Sequence, residues 1–140
     1  MKFGIPEENV SILGEGINPP RLRGFPKEKE PTLIYVGRLK KYKRVEMLIE
    51  ASTILKNEFP ELKVWIVGSG DMEPELRKNS KEWIHFFGFV DEEKKWELLE
   101  RAWIFVMPSV KEGFGLTIAE AEACGLPAVG FNVPGVRDSI

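Results

Sequence analysis

The chain has 140 residues, the length of one ordinary domain, and its 43% hydrophobic residues suffice for a buried core. With 20 basic and 22 acidic residues the net charge is −2, which argues against a protein that binds nucleic-acid phosphates. A single cysteine, Cys124, excludes an internal disulfide and a cysteine-rich zinc site. Because no apolar run suits a signal peptide or a transmembrane helix, we expect a soluble cytoplasmic domain.

Short apolar runs alternate with segments of helical periodicity after a lead rich in proline, glycine and charge. The apolar runs predict strands at 10–13, 32–36, 62–67, 83–87, 103–107 and 128–131. The periodic segments predict helices at 44–59, at 71–79 with Asp71 as N-cap, at 91–101 with Asp91 as N-cap, at 116–124, and from about 134 onward.

Alternation of strands and helices at this spacing indicates right-handed βαβ units. The predicted fold is therefore α/β, with a doubly wound parallel, Rossmann-like sheet. In such sheets ligands bind beyond the carboxyl ends of the strands. The loops to consider for function are then 37–43, 68–71, 88–91 and 108–116.

A glycine-rich loop precedes the predicted helix at 116–124. Gly113 and Gly115 allow a backbone to approach a ligand closely, and the helix start offers unpaired N–H groups with positive dipole character. A phosphate is the natural occupant. The alternative is a tight turn that needs glycine for its own geometry.

Two carboxylates flank this helix start. Glu112 stands before the turn, and Glu120 leans back toward it from the first turns of the helix. Carboxylates accept hydrogen bonds from hydroxyl groups, so a ligand with a phosphate between two polyols fits the arrangement. The alternative is that both glutamates are solvated partners of the helix dipole.

Two cations belong to the loop after the first long strand. Arg38 and Lys43 are placed to neutralise a diphosphate, the first as a planar fork and the second as a point charge. The neighbouring Lys40, Lys41 and Arg44 leave open that this is a solvated basic run.

Three motifs in order carry a resemblance to a known family: Gly37-Arg38-Leu39-x3-Lys43, the Glu112-x7-Glu120 pattern around Gly-Phe-Gly, and Gly16-Ile17-Asn18. The chain resembles the carboxy-terminal donor-binding domain of retaining glycosyltransferases of the GT-B fold, in the family 4 group. The similarity runs from about residue 10 to residue 140. One departure is Arg44, which stands where the family usually has glycine.

The resemblance implies a role for each matching residue. Arg38 and Lys43 would bind the donor diphosphate, Glu112 the sugar hydroxyls and Glu120 the ribose hydroxyls; Arg38, Lys43 and Glu112 are the predicted catalytic residues. The other predicted donor-binding residues are Gly37, Phe89, Val90, Gly113, Phe114, Gly115, Leu116 and Thr117, with Phe89 and Val90 beside the base.

The implied reaction is transfer of a sugar from a nucleotide diphosphate sugar, such as a UDP- or GDP-sugar, to a sugar, lipid or polysaccharide acceptor with retained anomeric configuration. The absence of an Asp-x-Asp sequence suits metal-independent chemistry without a cofactor. Residues 1–140 would then be one donor domain, inactive alone, that lacks an amino-terminal acceptor domain and its own carboxy-terminal end. Peripheral association of the full enzyme with a membrane stays open.

Other functions remain as alternatives. The domain can be a non-catalytic nucleotide-binding module of the same fold. The sequence Val67-Gly68-Ser69-Gly70 resembles the start of a dinucleotide fingerprint, although Glu73 occupies the place of the third glycine. A nucleic-acid patch at 40–44 lacks a surrounding positive field.

Overall fold

The structure is a computed structural model, which describes residues 6–11 and 15–140. The strands are β1 Thr32–Val36, β2 Lys63–Val67, β3 Ile84–Gly88, β4 Ile104–Met107 and β5 Ala128–Gly130. The helices are α1 Val45–Leu55, α2 Glu73–Lys78, α3 Glu92–Arg101 and α4 Leu116–Ala123, with short 3₁₀ turns at Glu7–Asn9 and Lys41–Lys43.

The strands form one parallel sheet with the order β3-β2-β1-β4-β5. The chain first builds outward from β1 to β3 and then returns to the other side of β1, so the β1/β4 boundary is a topological switch point. The predicted doubly wound α/β sheet is therefore confirmed.

Much of the core lies on β1, the central strand, and on its neighbour β2. Their apolar, largely β-branched side chains are buried on both faces, as expected for a parallel sheet between helices. Tyr35 is fully buried near the end of β1, where its hydroxyl donates a hydrogen bond of 2.9 Å to the carbonyl of Arg38. Burial raises the pKa of Tyr35 far above its ordinary value, so the hydroxyl remains a donor. This bond shapes the loop that follows β1.

Several predicted details differ from the structure. Asp71 does not cap α2, which has Met72 at its N-cap; the Asp71 carboxylate instead lies 3.2 Å from Lys40 Nζ. Residues 134–139 form turns instead of a helix, because Gly135 has φ +81° and its N–H donates to Asp138 at 2.9 Å. Part of the predicted strand at 10–13 lies outside the described residues. The predicted helix at 44–59 is shorter in the structure, since α1 ends at Leu55 and turns follow at residues 56–58. By contrast, Asp91 caps α3 as predicted, accepting from the N–H of Lys94.

One face of β4 and β5 carries an open apolar groove of about 440 Å³. Right-handed crossovers place α1 and α2 on this face, but over β1 to β3. No helix of the described part of the chain covers the remaining area, so Ile104 and Val106 are only half-buried and Val129 is 56% exposed. Within the described residues, β4 is therefore incompletely covered on this face of the sheet.

The segment before β1 is fastened to the end of α3 by a buried carboxylate. Glu100 is 7% exposed and accepts hydrogen bonds from the backbone N–H groups of Arg23, Gly24 and Phe25 at 3.1, 2.6 and 3.1 Å. Glu28 pairs with Arg101 one residue further along the helix. The lead segment is thus held by charge and backbone donors more than by apolar contacts.

We expect Glu100→Gln to lower the free energy of unfolding by about 1–3 kcal/mol, because an amide has one acceptor oxygen and presents its NH₂ group to backbone donors. Urea unfolding followed by circular dichroism measures this. Glu122→Gln, at an exposed position on α4, is the matched control and should change stability by less than about 0.5 kcal/mol. Equal stability of the two variants would contradict the role given to Glu100.

Within residues 6–11 and 15–140, none of the helices combines the length and the apolar character needed to cross a bilayer.

Candidate functional site

Two clefts meet at the carboxyl edge of the sheet, where the predicted ligand-binding loops lie, and Arg38 lines both of them. The β3-side cleft has a volume of about 290 Å³, and its lining includes Gly37, Arg38, Gly68, Phe89, Val90 and Lys95. The β4-side cleft has a volume of about 610 Å³ and is lined by Arg38, Tyr42, Lys43, Lys111, Glu112 and Gly113.

The loops after β1 and β2 touch each other through their backbones. A Cβ atom on Gly68 would lie 2.0 Å from the carbonyl oxygen of Gly37, and one on Gly70 would lie 2.3 Å from that of Leu39. The Leu39 N–H donates to the carbonyl of Ser69 at 2.9 Å. The glycines that suggested a dinucleotide fingerprint therefore serve the close packing of these two loops.

We expect Gly70→Ala to destabilise the protein by about 1–3 kcal/mol, because the added methyl group meets backbone atoms that cannot turn away as a side chain would. Thermal unfolding should show a clearly lowered melting temperature. Gly16→Ala provides the control, since a Cβ at Gly16 has no neighbour within 4 Å among the described residues. A Gly70→Ala protein as stable as this control would show that the two loops can separate.

Lys43 and Glu112 form a buried ion pair in the β4-side cleft. Their side chains are only 11% and 12% exposed, and Lys43 Nζ contacts Glu112 Oε1. The ammonium also lies 5.3 Å from the centre of the Tyr42 ring. The Tyr42 carbonyl accepts from the N–H of Val110 at 3.1 Å, which joins the loops after β1 and β4. Arg38, Lys43 and Glu112, predicted as one group, are thus brought together at one cleft.

The start of α4 is partly closed by the turns at 134–139. The Gly115 N–H donates to the Ser139 hydroxyl at 2.9 Å and to the carbonyl of Gly135 at 3.2 Å, while the Leu116 N–H donates to Phe114 at 2.9 Å. Of the predicted donor-binding residues, Phe114, Gly115, Leu116, Thr117 and Glu120 are not among those that line the two clefts. A ligand phosphate that used the Gly115 N–H would therefore have to replace the bond to Ser139.

Glu120 is held by a lysine that the sequence analysis did not single out. Lys95, in the first turn of α3, donates to Glu120 Oε1 at 2.7 Å and lies 2.9 Å from Glu92 Oε2. The second carboxylate oxygen, Glu120 Oε2, is buried and has no hydrogen-bond partner among the described residues. Burial opposes the charge of Lys95, but its hydrogen bonds to the two glutamates outweigh burial and raise its pKa above the ordinary value.

In sequence, Lys95 is one of many charged helix residues, and only its place just after the loop 88–91 hints at the site. The remaining loop residues Phe89 and Val90 line the β3-side cleft, and Phe89 is 86% exposed. Cys124, at the end of α4, is half-buried, and burial raises the pKa of its thiol to about 11. In the described part of the chain no group of three or more His, Cys, Asp and Glu side chains is arranged to hold a metal ion.

Comparison with known proteins places the chain in a family. The sequence profile described as "Glycosyl transferases group 1" matches residues 21–140. The chain belongs to this glycosyltransferase family. An uncharacterized glycosyltransferase of Methanocaldococcus jannaschii is 32% identical over an alignment that covers 99% of this chain and 40% of the relative.

Two further similarities extend the comparison. The phosphatidyl-myo-inositol mannosyltransferase of Propionibacterium freudenreichii is 29% identical over 93% of this chain and 35% of its own length. The crystal structure of the pneumococcal O-GlcNAc transferase GtfA in complex with UDP and GlcNAc superposes with a TM-score of 0.69 and 30% identity, covering 79% of this chain and 23% of that protein. The fold is thus that of GT-B glycosyltransferases, and the chain spans two fifths or less of the length of these relatives.

Arg44 occupies a backbone conformation that suits glycine, the residue that the family resemblance led us to expect there. Arg44 has φ +51° and ψ +37°, and it is the one non-glycine residue with positive φ in the described ranges 6–11 and 15–140. A side chain in this left-handed conformation costs roughly 1–2 kcal/mol. The Arg44 side chain forms a half-exposed ion pair with Glu46, in which Nε lies 2.5 Å from Oε1.

We expect Arg44→Gly to be more stable than Arg44→Ala by about 1 kcal/mol, because both variants lose the ion pair but only glycine adopts the left-handed conformation without strain. Denaturant titration of the two variants side by side measures the difference. If the alanine variant were as stable as the glycine variant, the loop would be able to adopt another backbone conformation at residue 44.

Proposed function

We propose that this chain binds a nucleotide diphosphate sugar at the two clefts and, within the whole protein, transfers the sugar to an acceptor with retention of anomeric configuration. The observation that carries the proposal is that Arg38 borders both clefts, with Glu112 in the wall of one and Lys95, the partner of Glu120, in the wall of the other. This charge pattern suits a diphosphate with a sugar on one side and a ribose on the other.

The diphosphate would lie against Arg38, between the clefts. Arg38 is exposed, with one long hydrogen bond of 3.4 Å to the Tyr42 hydroxyl, and its guanidinium can form two parallel hydrogen bonds to phosphate oxygens. Lys43 stands at the wall of the neighbouring cleft. As the glycosidic bond breaks, negative charge grows on the diphosphate, and these cations stabilise it from fixed positions. The proposed reaction therefore uses no metal ion and no other cofactor.

The nucleoside would occupy the β3-side cleft. Glu120 is not in the lining of this cleft but is bonded to Lys95, which is. Its Oε2 is a buried acceptor with no hydrogen-bond partner in the described part of the chain, and a ribose hydroxyl would supply the missing donor. The exposed ring of Phe89 and the side chain of Val90 provide an apolar surface for the base. The sugar would then lie on the other side of Arg38, in the β4-side cleft, with its hydroxyls donating to Glu112.

The donor is proposed to be a UDP- or GDP-sugar. The UDP bound in the pneumococcal relative supports the first of these. The acceptor, a sugar, a lipid or a polysaccharide, would be bound by a further, amino-terminal domain of the whole protein, so that residues 1–140 act as its donor domain and are inactive alone. We place the enzyme in carbohydrate biosynthesis in the cytoplasm, with peripheral membrane contact where the acceptor is a lipid.

The test is calorimetric titration of the chain with UDP, GDP and ADP in the presence of EDTA, with NAD as a negative control. One diphosphate should bind. Arg38→Ala, which removes the phosphate contact, and Glu120→Gln, which removes the charged acceptor, should each weaken it by about tenfold or more. Glu122→Gln, outside both clefts, should bind as the wild type does.

Binding of NAD in preference to the diphosphates, or no nucleotide binding by the folded chain, would contradict the proposal. The alternative of a non-catalytic module predicts the same binding but no sugar transfer. Incubating the whole protein with the donor sugar and candidate acceptors separates the two functions, because only the enzyme releases nucleoside diphosphate as product forms.

A further inference from the structure

Each carboxylate of the Glu-x7-Glu motif is paired with a lysine that comes from a different element. Glu112 pairs with Lys43, which belongs to the motif after β1. Glu120 pairs with Lys95 on α3, at 2.7 Å. The sequence motifs give Lys95 no role, yet its place in the structure corresponds to that of Lys43.

Lys95 is largely buried and also lines one of the two clefts. Its side chain is 12% exposed, and it lines the β3-side cleft beside Phe89 and Val90. Its ammonium group lies 5.2 Å from the centre of the Trp96 ring, which shields it from one side. On its solvent side the Lys95 ammonium pairs with a second carboxylate, since its Nζ lies 2.9 Å from Glu92 Oε2. The Glu92 side chain itself is 78% exposed. The ammonium is therefore kept in one place.

Glu120 depends on this ammonium group. Its side chain is 16% exposed; one carboxylate oxygen bonds to Lys95, and the other is buried with no partner among residues 6–11 and 15–140. A buried carboxylate that loses its counter-ion is strongly destabilised, so it turns toward water or takes up a proton. Either change removes the charged acceptor from the place where a ligand hydroxyl would meet it.

We propose that Lys95 is a positioning residue, which holds Glu120 ionised and oriented for the ribose hydroxyls of the nucleotide. This inference rests on the proposed function, in which Glu120 accepts from the ribose. It assigns to α3 a direct influence on how tightly the nucleoside is bound, although the family motifs lie in the loops after β1 and β4.

The test compares the affinity of the chain for a ribonucleoside diphosphate with its affinity for the 2′-deoxy counterpart. The probe is whichever of UDP, GDP and ADP binds best. In the wild type the ribonucleotide should bind about tenfold or more tightly, since a hydrogen bond to a charged group is at stake. Lys95→Met should reduce this ratio to about twofold or less, while affinity for the deoxynucleotide changes by less than about threefold.

Three further variants make the result specific. Lys95→Arg keeps the charge and should restore at least half of the lost preference on a logarithmic scale. In a Lys95→Met, Glu120→Gln double variant the two losses should not add, because both act on one contact. Lys94→Met is the matched control. Lys94 precedes Lys95 on α3 and pairs with Glu97 at 2.9 Å outside the cleft, so this substitution should leave the ratio of affinities unchanged. Should Lys95→Met not fold, Lys95→Gln takes its place with the same expectation.

Three outcomes overturn different statements. A wild-type chain that binds no nucleoside diphosphate overturns the proposed function, and this inference with it. A wild-type chain that binds the ribonucleotide and the 2′-deoxynucleotide equally well overturns the contact between Glu120 and ribose, while the proposal of diphosphate binding stands. A normal wild-type preference that persists in the Lys95 variant, or an equal loss for both nucleotides, overturns the role of Lys95 alone.

Discussion

Pairing of buried carboxylates with lysines is the constraint around which this site is built. A glutamate with a side chain less than one fifth exposed must be neutralised locally, and both Glu112 and Glu120 pair with a lysine from another element. The first is neutralised by Lys43, just before α1, and the second by Lys95, in α3. The site therefore exists only when elements that are distant in sequence come together.

The order of the strands brings them together. Because β1 lies between β2 and β4, the loop that carries Lys43 and the loop that carries Glu112 leave neighbouring strands at the same edge. The crossovers from β3 to β4 and from β4 to β5 run in one direction, so α3 and α4 share a face of the sheet. That arrangement puts Lys95 beside Glu120. The switch point of the fold thus determines which charges meet.

The parts of this arrangement that depend on the positions of strand ends can be predicted from the sequence. The meeting of Arg38, Lys43 and Glu112 follows from two strand predictions and the rule for parallel sheets. Lys95 was missed, because its role depends on the packing of two helices and no local pattern reports that. Asp71 was assigned as a cap from its residue type, but a nearby lysine competes for its carboxylate. Pro134 is a residue type that favours the first turn of a helix, which led to the prediction of a helix from about 134. Gly135, with φ +81°, ends that possibility and gives turns instead.

The glycine contacts have a consequence for how such a site changes over evolutionary time. At Gly68, Gly70 and Gly135 the neighbouring loops touch through main-chain atoms, so the path of each loop is specified almost independently of the side chains it displays. On the β3 side, by contrast, Phe89 and the Glu92 side chain are largely exposed and share few packing constraints. Exchange of these exposed side chains can therefore alter the surface of the β3-side cleft without changing the backbone paths of the loops at the glycines.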